Sequence, residues 1–447
     1  MGAAGPASGP AGRPLGMYAK SAASRADAKR PAGTIHDAGQ ARRWALQRAA
    51  QGLLADKRPR IDRFGNEREH YVYRVAMCHR GTDGLAPEIR RSTDHERAEF
   101  YGVQTCGSVW HCPICAPKIA NGRRDEMTLA MGRHVEAGGM VFLETFTFQH
   151  TAEEGGAGCL KPQLEKLLVL MREKLKSHRL YKDTRKEAEV IGQIRALEIT
   201  YGEMNGWHPH VHELVFAGRD AVEVNKRGET IYRKSVLGRR RKLWAKLLIE
   251  AGMAGLKPGD TGAELFGKLR TLLRRCYTVQ IGAYAAEYIA KFGRESGWGI
   301  ASEMTRGHTK TPRRCSHTTP WGLLADHLDG DKRAGWLFRE YAEAFMGRAQ
   351  LYWSRGLKKA LGVEDIVDEE IAAAPDLSCS ERVIQLTDDQ WRLILSRNAR
   401  WEALRAAALN GRFGVEVLLR ELGEVRPSHG SDYTESGRAF VPIRRHA

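Results

Sequence analysis

The sequence predicts an α+β fold built on a mainly antiparallel sheet, with a helical C-terminal region. Three observations predict it. Apolar strand-like runs recur at 140–148, 191–201 and 211–217. Segments of helical period lie between them, at 118–136 and 161–181, where Leu164, Leu167, Leu168, Met171 and Leu175 repeat on one face. The run Arg195 to Phe216 reads as strand, glycine-containing turn and strand, which makes it a hairpin.

Taken in order, residues 1–40 are rich in Ala, Gly, Pro and Ser without periodicity and are expected to be disordered. Residues 41–135 form an N-terminal flank with a short helix at 41–55, a strand-like run Tyr71–Met77 and a cysteine cluster. Residues 136–361 carry the hairpin and form the expected catalytic domain. The stretch 362–383 is acidic, then Ala- and Pro-rich, and reads as a linker. Residues 384–447 read as a helical C-terminal region, with patterns around Trp391–Leu404 and Gly414–Leu422. That region is a neutral helical appendage or a recognition module for a partner. No Gly-x-x-x-x-Gly-Lys-Ser/Thr phosphate loop occurs, so a built-in helicase is not expected.

The 447 residues carry 71 basic and 54 acidic side chains, a formal net charge of +17, which favours a polyanionic partner. The run Arg239, Arg240, Arg241, Lys242 through Lys246, with an interleaved Trp244, reads as a helix face that is either solvated or a DNA-backbone contact. No apolar run is long enough to cross a bilayer, and the N-terminal segment lacks a signal-peptide apolar core, so a cytoplasmic protein is expected. The eight cysteines then do not form a disulfide framework. Cys78, Cys106, Cys112 and Cys115 have the makings of a closed tetrahedral thiolate site for structural Zn2+, with His111 as a competitor for one position.

His210 and His212 alternate along one strand and project from the same side. If the hairpin pairs, Glu198 comes beside them. Two imidazoles and a carboxylate suit a divalent metal that keeps positions open for substrate. Glu198 is the expected third ligand; His208 has the same strand parity and competes, although Pro209 interrupts the strand. Further on, the Ala-rich run Ile281–Gly293 reads as a helix, with Tyr284, Tyr288 and Lys291 on one face.

The His-Val-His strand followed by Tyr-x-x-x-Tyr-x-x-Lys resembles the HUH endonucleases, and more narrowly the replication initiators (Rep) of rolling-circle plasmids and small phages. The hydrophobic strand Val141–His150 matches the family's first motif. The tyrosines follow the histidines, an order opposite to that of conjugative relaxases. Lys310–Leu324 and Arg348–Leu357 are similar to downstream blocks of plasmid initiators. The chain departs from the pattern at Glu144, where the first motif usually has a small or apolar residue. It also departs at Tyr284, where some related initiators carry a glutamate.

The resemblance implies a palm-like antiparallel sheet with the nucleophile helix beside the histidine strand. It implies Mg2+ or Mn2+ as cofactor, a tyrosine nucleophile, with Tyr288 first choice and Tyr284 able to serve a second cut, and a covalent 5′-phosphotyrosine intermediate. The implied partners are single-stranded or hairpin plasmid origin DNA, a host helicase and a DNA polymerase, in a bacterial cytoplasm. Two alternatives stand beside it. One is a transposase or relaxase with the same chemistry. The other is a zinc-containing DNA-binding regulator without catalysis.

Overall fold

The computed structural model describes residues 35–61, 64–82, 84–93, 97–149, 156–203, 205–224, 226, 230–281, 317–375 and 380–424. The expected nucleophile helix, with Tyr284, Tyr288 and Lys291, lies outside the described residues.

Helix α1 (Ile35–Leu53) is followed by a hairpin of β1 (Lys57–Ile61) and β2 (Glu67–Tyr71), then by β3 (Glu88–Ser92) and β4 (Ala98–Tyr101). Helix α2 (Cys115–Glu136) leads into β5 (Met140–Phe146). Helix α3 (Leu160–Val169) continues through a π-helical turn at Leu170–Leu175, and α4 (Arg179–Glu187) follows. The long hairpin is β6 (Gly192–Gly202) and β7 (Gly206–Ala217), with a small one, β8 (Val222–Val224) and β9 (Thr230–Tyr232), after it. Next come α5 (Lys234–Glu250), α6 (Gly262–Arg275) and β10 (Tyr277–Ile281). The chain then supplies β11 (His317–Thr318), α7 (Pro320–Leu328), α8 (Lys332–Phe345), β12 (Leu351–Trp353), α9 (Asp368–Ala373), β13 (Ser380–Gln385), α10 (Asp388–Ser396) and α11 (Arg400–Glu424).

The protein is α+β with antiparallel sheets. The central sheet runs β10-β5-β7-β6-β11, with β12 also on β6, and every pairing is antiparallel. Period-two alternation gives its strands two different faces. On one, Leu143, Ile194, Leu214 and Phe216 pack against Met127, Ala130 and Met131 of α2. On the other, Phe146, Leu197, Ile199 and Val211 join the main core with Leu164, Leu167, Met171, Trp244 and Trp321. This double cover explains the continuous apolar runs Met140–Leu143 of β5 and Leu214–Ala217 of β7.

Two local expectations change. The strand-like run at 71–77 leaves the ladder at Tyr71 and winds into a 3-10 turn at Arg74–Met77. Gln51 of α1 donates to the Val75 and Cys78 carbonyls there, at 3.2 and 2.8 Å, in place of a strand partner. The stretch read as a linker carries α9 and most of β13. Gly122 lets Ile371 of α9 approach α2; a Cβ there would meet the Ile371 side chain at 2.9 Å. β13 pairs with β3, making a three-stranded sheet β13-β3-β4. Ile89, Ile384, Trp391, Ile394, Leu404 and Val415 fill the core between that sheet and α10 and α11. The C-terminal region therefore begins with a strand and shares its core with the N-terminal flank. Helix α11 breaks at Gly411, whose φ of 57° suits glycine. Among the described residues, no helix is long and apolar enough to cross a membrane.

Candidate metal sites

The β6–β7 hairpin sets its register through the turn at Gly202–Gly206. Glu198 lies opposite His210, Thr200 opposite His208, and Ala196 opposite His212. All these positions share one face, while Trp207 and Val211 point into the main core. β7 continues unbroken through Pro209, which sits opposite Ile199. β5 stops pairing at Val211, so the proline lies where β7 is bonded on one side only and its missing N–H costs no ladder bond.

His212 is buried and held at both ring nitrogens. Its Nε2 lies 3.0 Å from Glu198 Oε2, and its Nδ1 lies 3.0 Å from Thr145 Oγ1 on β5. The His210 ring stacks over that of His212, with centroids 6.3 Å apart and planes 26° apart. His208 sits edge-on to His210 at 4.2 Å, and its Nε2 is 3.2 Å from Thr147 Oγ1. Burial pushes the Glu198 carboxyl up to about 8 and the His212 imidazole down to about 4. Both shifts have the same origin: the pocket disfavours charge on either group. A bound divalent cation would reverse that preference, but the donor atoms of His210, His212 and Glu198 do not all lie within 4.8 Å of one another. Thr145 and Thr147 went unnoticed in the sequence. Their signal was the alternation Thr145-Phe146-Thr147, which puts both hydroxyls on the histidine face once β5 pairs with β7.

The second site is more closed. Among the described residues, Cys78, Cys106, Cys112 and Cys115 are the group of metal-ligating side chains whose donor atoms all lie within 4.8 Å of one another. Cys78 Sγ is 3.6 Å from both Cys112 and Cys115, and Cys106 Sγ is 3.7 Å from Cys115. All four are buried. Burial pushes the Cys78 and Cys106 thiols well above their usual range. At Cys112 burial pushes the same way, but hydrogen bonds from the three other thiols and the Cys115 amide outweigh it and bring the thiol well below. Gln47 Nε2 also points at Cys112 Sγ, 3.6 Å away. Such a cluster can hold a structural metal such as zinc. His111 does not belong to it. Its ring nitrogens lie 3.0 Å from Ser108 Oγ and 3.0 Å from the Ala342 carbonyl, tying the knuckle to α8.

The basic run on α5 divides. Arg240 is buried and pairs with buried Glu144, with its Nε 2.9 Å from Thr184 Oγ1, so it is not a DNA-facing side chain. It also accounts for the carboxylate that the first motif does not normally carry. Arg239 is half-exposed beside Glu187, and Arg241 donates to the Tyr277 carbonyl at 3.2 Å. Lys242 and Lys246 are exposed.

The fold and sites together define an α+β protein with paired imidazoles and a carboxylate on a central antiparallel sheet and a four-cysteine knuckle at its flank. Such a chain is similar to "Protein rep" of Streptomyces lividans, at 27% identity over 350 residues, covering 68% of this chain and 75% of that protein. It is also similar to the "Neomycin resistance protein" of Streptomyces cyanogenus, at 30% identity over 138 residues, 26% of this chain and 31% of that protein. The expected likeness to a Rep protein thus extends over two thirds of the chain. No family model and no solved structure matches.

Proposed function

We propose that this chain is a plasmid replication initiator of the HUH type, which nicks one strand of origin DNA and rejoins it through a phosphotyrosine. The observation that carries the reading is the contact of Glu198 with His212, on the face that His210 shares. Similarity to a protein named Rep supports it.

In this reading His210, His212 and Glu198 hold Mg2+ or Mn2+, with His208 the competitor for the third place. When bound, the cation supplies charge neutralisation at the scissile phosphate. Thr145 fixes His212 Nδ1 and so directs Nε2 toward Glu198. The Tyr288 oxygen attacks phosphorus, a P–O bond forms, and the P–O3′ bond breaks. The 3′ oxygen leaves as a hydroxyl, carrying the proton that the phenol gives up. A free phenol ionises near pH 10, and Lys291, three residues on, favours the phenolate. The tyrosyl ester keeps the diester's energy, so rejoining needs no ATP. A host polymerase extends the 3′ end after a host helicase opens the duplex. Tyr284 makes a second cut while Tyr288 remains attached. Arg239, Arg241, Lys242 and Lys246 are offered as backbone contacts, without Arg240.

Incubating the protein with Mn2+ and single-stranded oligonucleotides from its native replicon tests this. A nick and a covalent protein–DNA band are expected. Both disappear in His212→Ala and Tyr288→Phe, whereas Tyr284→Phe retains the first cut. Adducts that persist in Tyr288→Phe would overturn the assignment. Binding without any nick on any replicon sequence would favour the second reading, a regulator organised by the four-cysteine knuckle.

A further inference from the structure

Among the described residues, the β1–β2 hairpin is a two-stranded sheet with no third strand. Every residue on it is exposed except His70, which is half-buried. Isolated ribbons of this kind are marginal in water. The hairpin's register pairs Arg58 with His70 and Arg60 directly with Arg68. Alternation puts these four on one face, which therefore carries only basic side chains. The other face is balanced: Lys57 lies 3.6 Å from Glu69 and 5.3 Å from the Tyr71 ring centroid. The root of the ribbon is fixed. Val72 N–H donates to the Asp56 carbonyl at 2.8 Å, and Arg339 of α8 clamps the Asp56 carboxylate at 2.8 and 3.1 Å.

We infer that this ribbon is an arm that binds duplex DNA, with Arg58, Arg60 and Arg68 against the phosphates. Three features choose this occupant. Cations two residues apart on a strand recur about every 7 Å along a line, a ladder suited to a regular polyanion. A two-stranded ribbon fits the major groove, roughly 12 Å wide. The chain's net charge of +17 has the matching sign. The inference takes the identity of the polyanion from the nickase reading but needs none of its chemistry.

The test measures binding of the full-length protein to a labelled, unnicked duplex in EDTA, across a salt series. Arg58→Ala/Arg60→Ala/Arg68→Ala should bind roughly tenfold or more weakly at moderate salt, with the slope of log K against log salt shallower by about 2 to 3. Lys57→Ala/Glu69→Ala, on the other face, should match the wild type. Melting curves check folding; if the triple variant unfolds, Arg68→Gln alone should lower the slope by about 1. An unchanged affinity and slope overturn the proposal. So does loss of binding to phosphatidylserine-containing vesicles while duplex binding stays intact. Cutting of single-stranded oligonucleotide in Mn2+ is scored separately, so a failed nickase and a failed arm give different results.

Discussion

Glu198 and His212 meet as a carboxyl and an imidazole in a pocket that favours both uncharged. This has a pH signature. Above pH 4.5 the unfolded chain loses a proton that folded Glu198 keeps until about pH 8, so stability falls over that span. His212 acts in the opposite sense. Unfolded, it holds a proton up to about pH 6.5, whereas folded it loses that proton near 4, so stability rises between those values. The two effects offset each other from pH 4.5 to 6.5 and leave a net loss of up to roughly 2 kcal/mol from 6.5 to 8. Urea unfolding of metal-free protein across this range should show that loss. Mn2+ or Glu198→Gln should flatten it, and a flat metal-free profile would show the carboxyl already ionised. The histidine pair and Glu198 were legible in the sequence because parity along a strand and pairing across a short turn are local rules. Thr145 was not, because it reaches His212 from 67 residues away in sequence, through a pairing that no local pattern announces.

Helix α5 shows where pattern reading fails at the level of an element. Five cations in eight residues suggested one exposed face, yet a helix turns about 100° per residue and cannot present neighbours together. Arg240 falls on the buried side, beneath β5, where it meets Glu144. The two misfits in the sequence, an acid in an apolar strand and a base in a DNA-facing row, are one buried pair. Arg240→Met strands Glu144 without its partner and should cost about 3 to 5 kcal/mol in urea unfolding. The double variant Arg240→Met/Glu144→Leu should recover most of that. Equal losses in single and double variants would show that packing, not charge, holds α5 to the sheet. The strands β5, β6 and β7 were anticipated within a few residues, with β7 beginning earlier than its apolar run. The π-helical turn at Leu170–Leu175 was not, since its apolar residues keep helical spacing.

For the whole molecule, the four-cysteine knuckle is a meeting point. Gln47 and Gln51 reach it from α1, and Arg400 of α11 donates to the Cys78 and His79 carbonyls at 3.3 and 3.1 Å. Arg400 also donates to Gln51 Oε1 at 3.1 Å. The chain order gave no sign that a helix after residue 400 would return to a motif near residue 78, because long-range packing leaves no periodicity. If zinc fills the knuckle, about one equivalent should be released on denaturation with a thiol reagent. A strong chelator, or Cys112→Ser, should then expose α1 and α11 to limited proteolysis together, while the β6–β7 hairpin stays protected. Cleavage confined to the knuckle would mean that the flank's apolar core, and not the metal, joins the two ends.

The clamp of Arg400 on the Cys78 carbonyl spans 322 residues of chain. During translation at about 5 to 20 residues per second, the His79 carbonyl therefore waits roughly 15 to 65 s for its Arg400 donor. A ribosome that stalls before Arg400 is made leaves the His79 carbonyl without that donor, while Gln51 can already bond the Cys78 carbonyl.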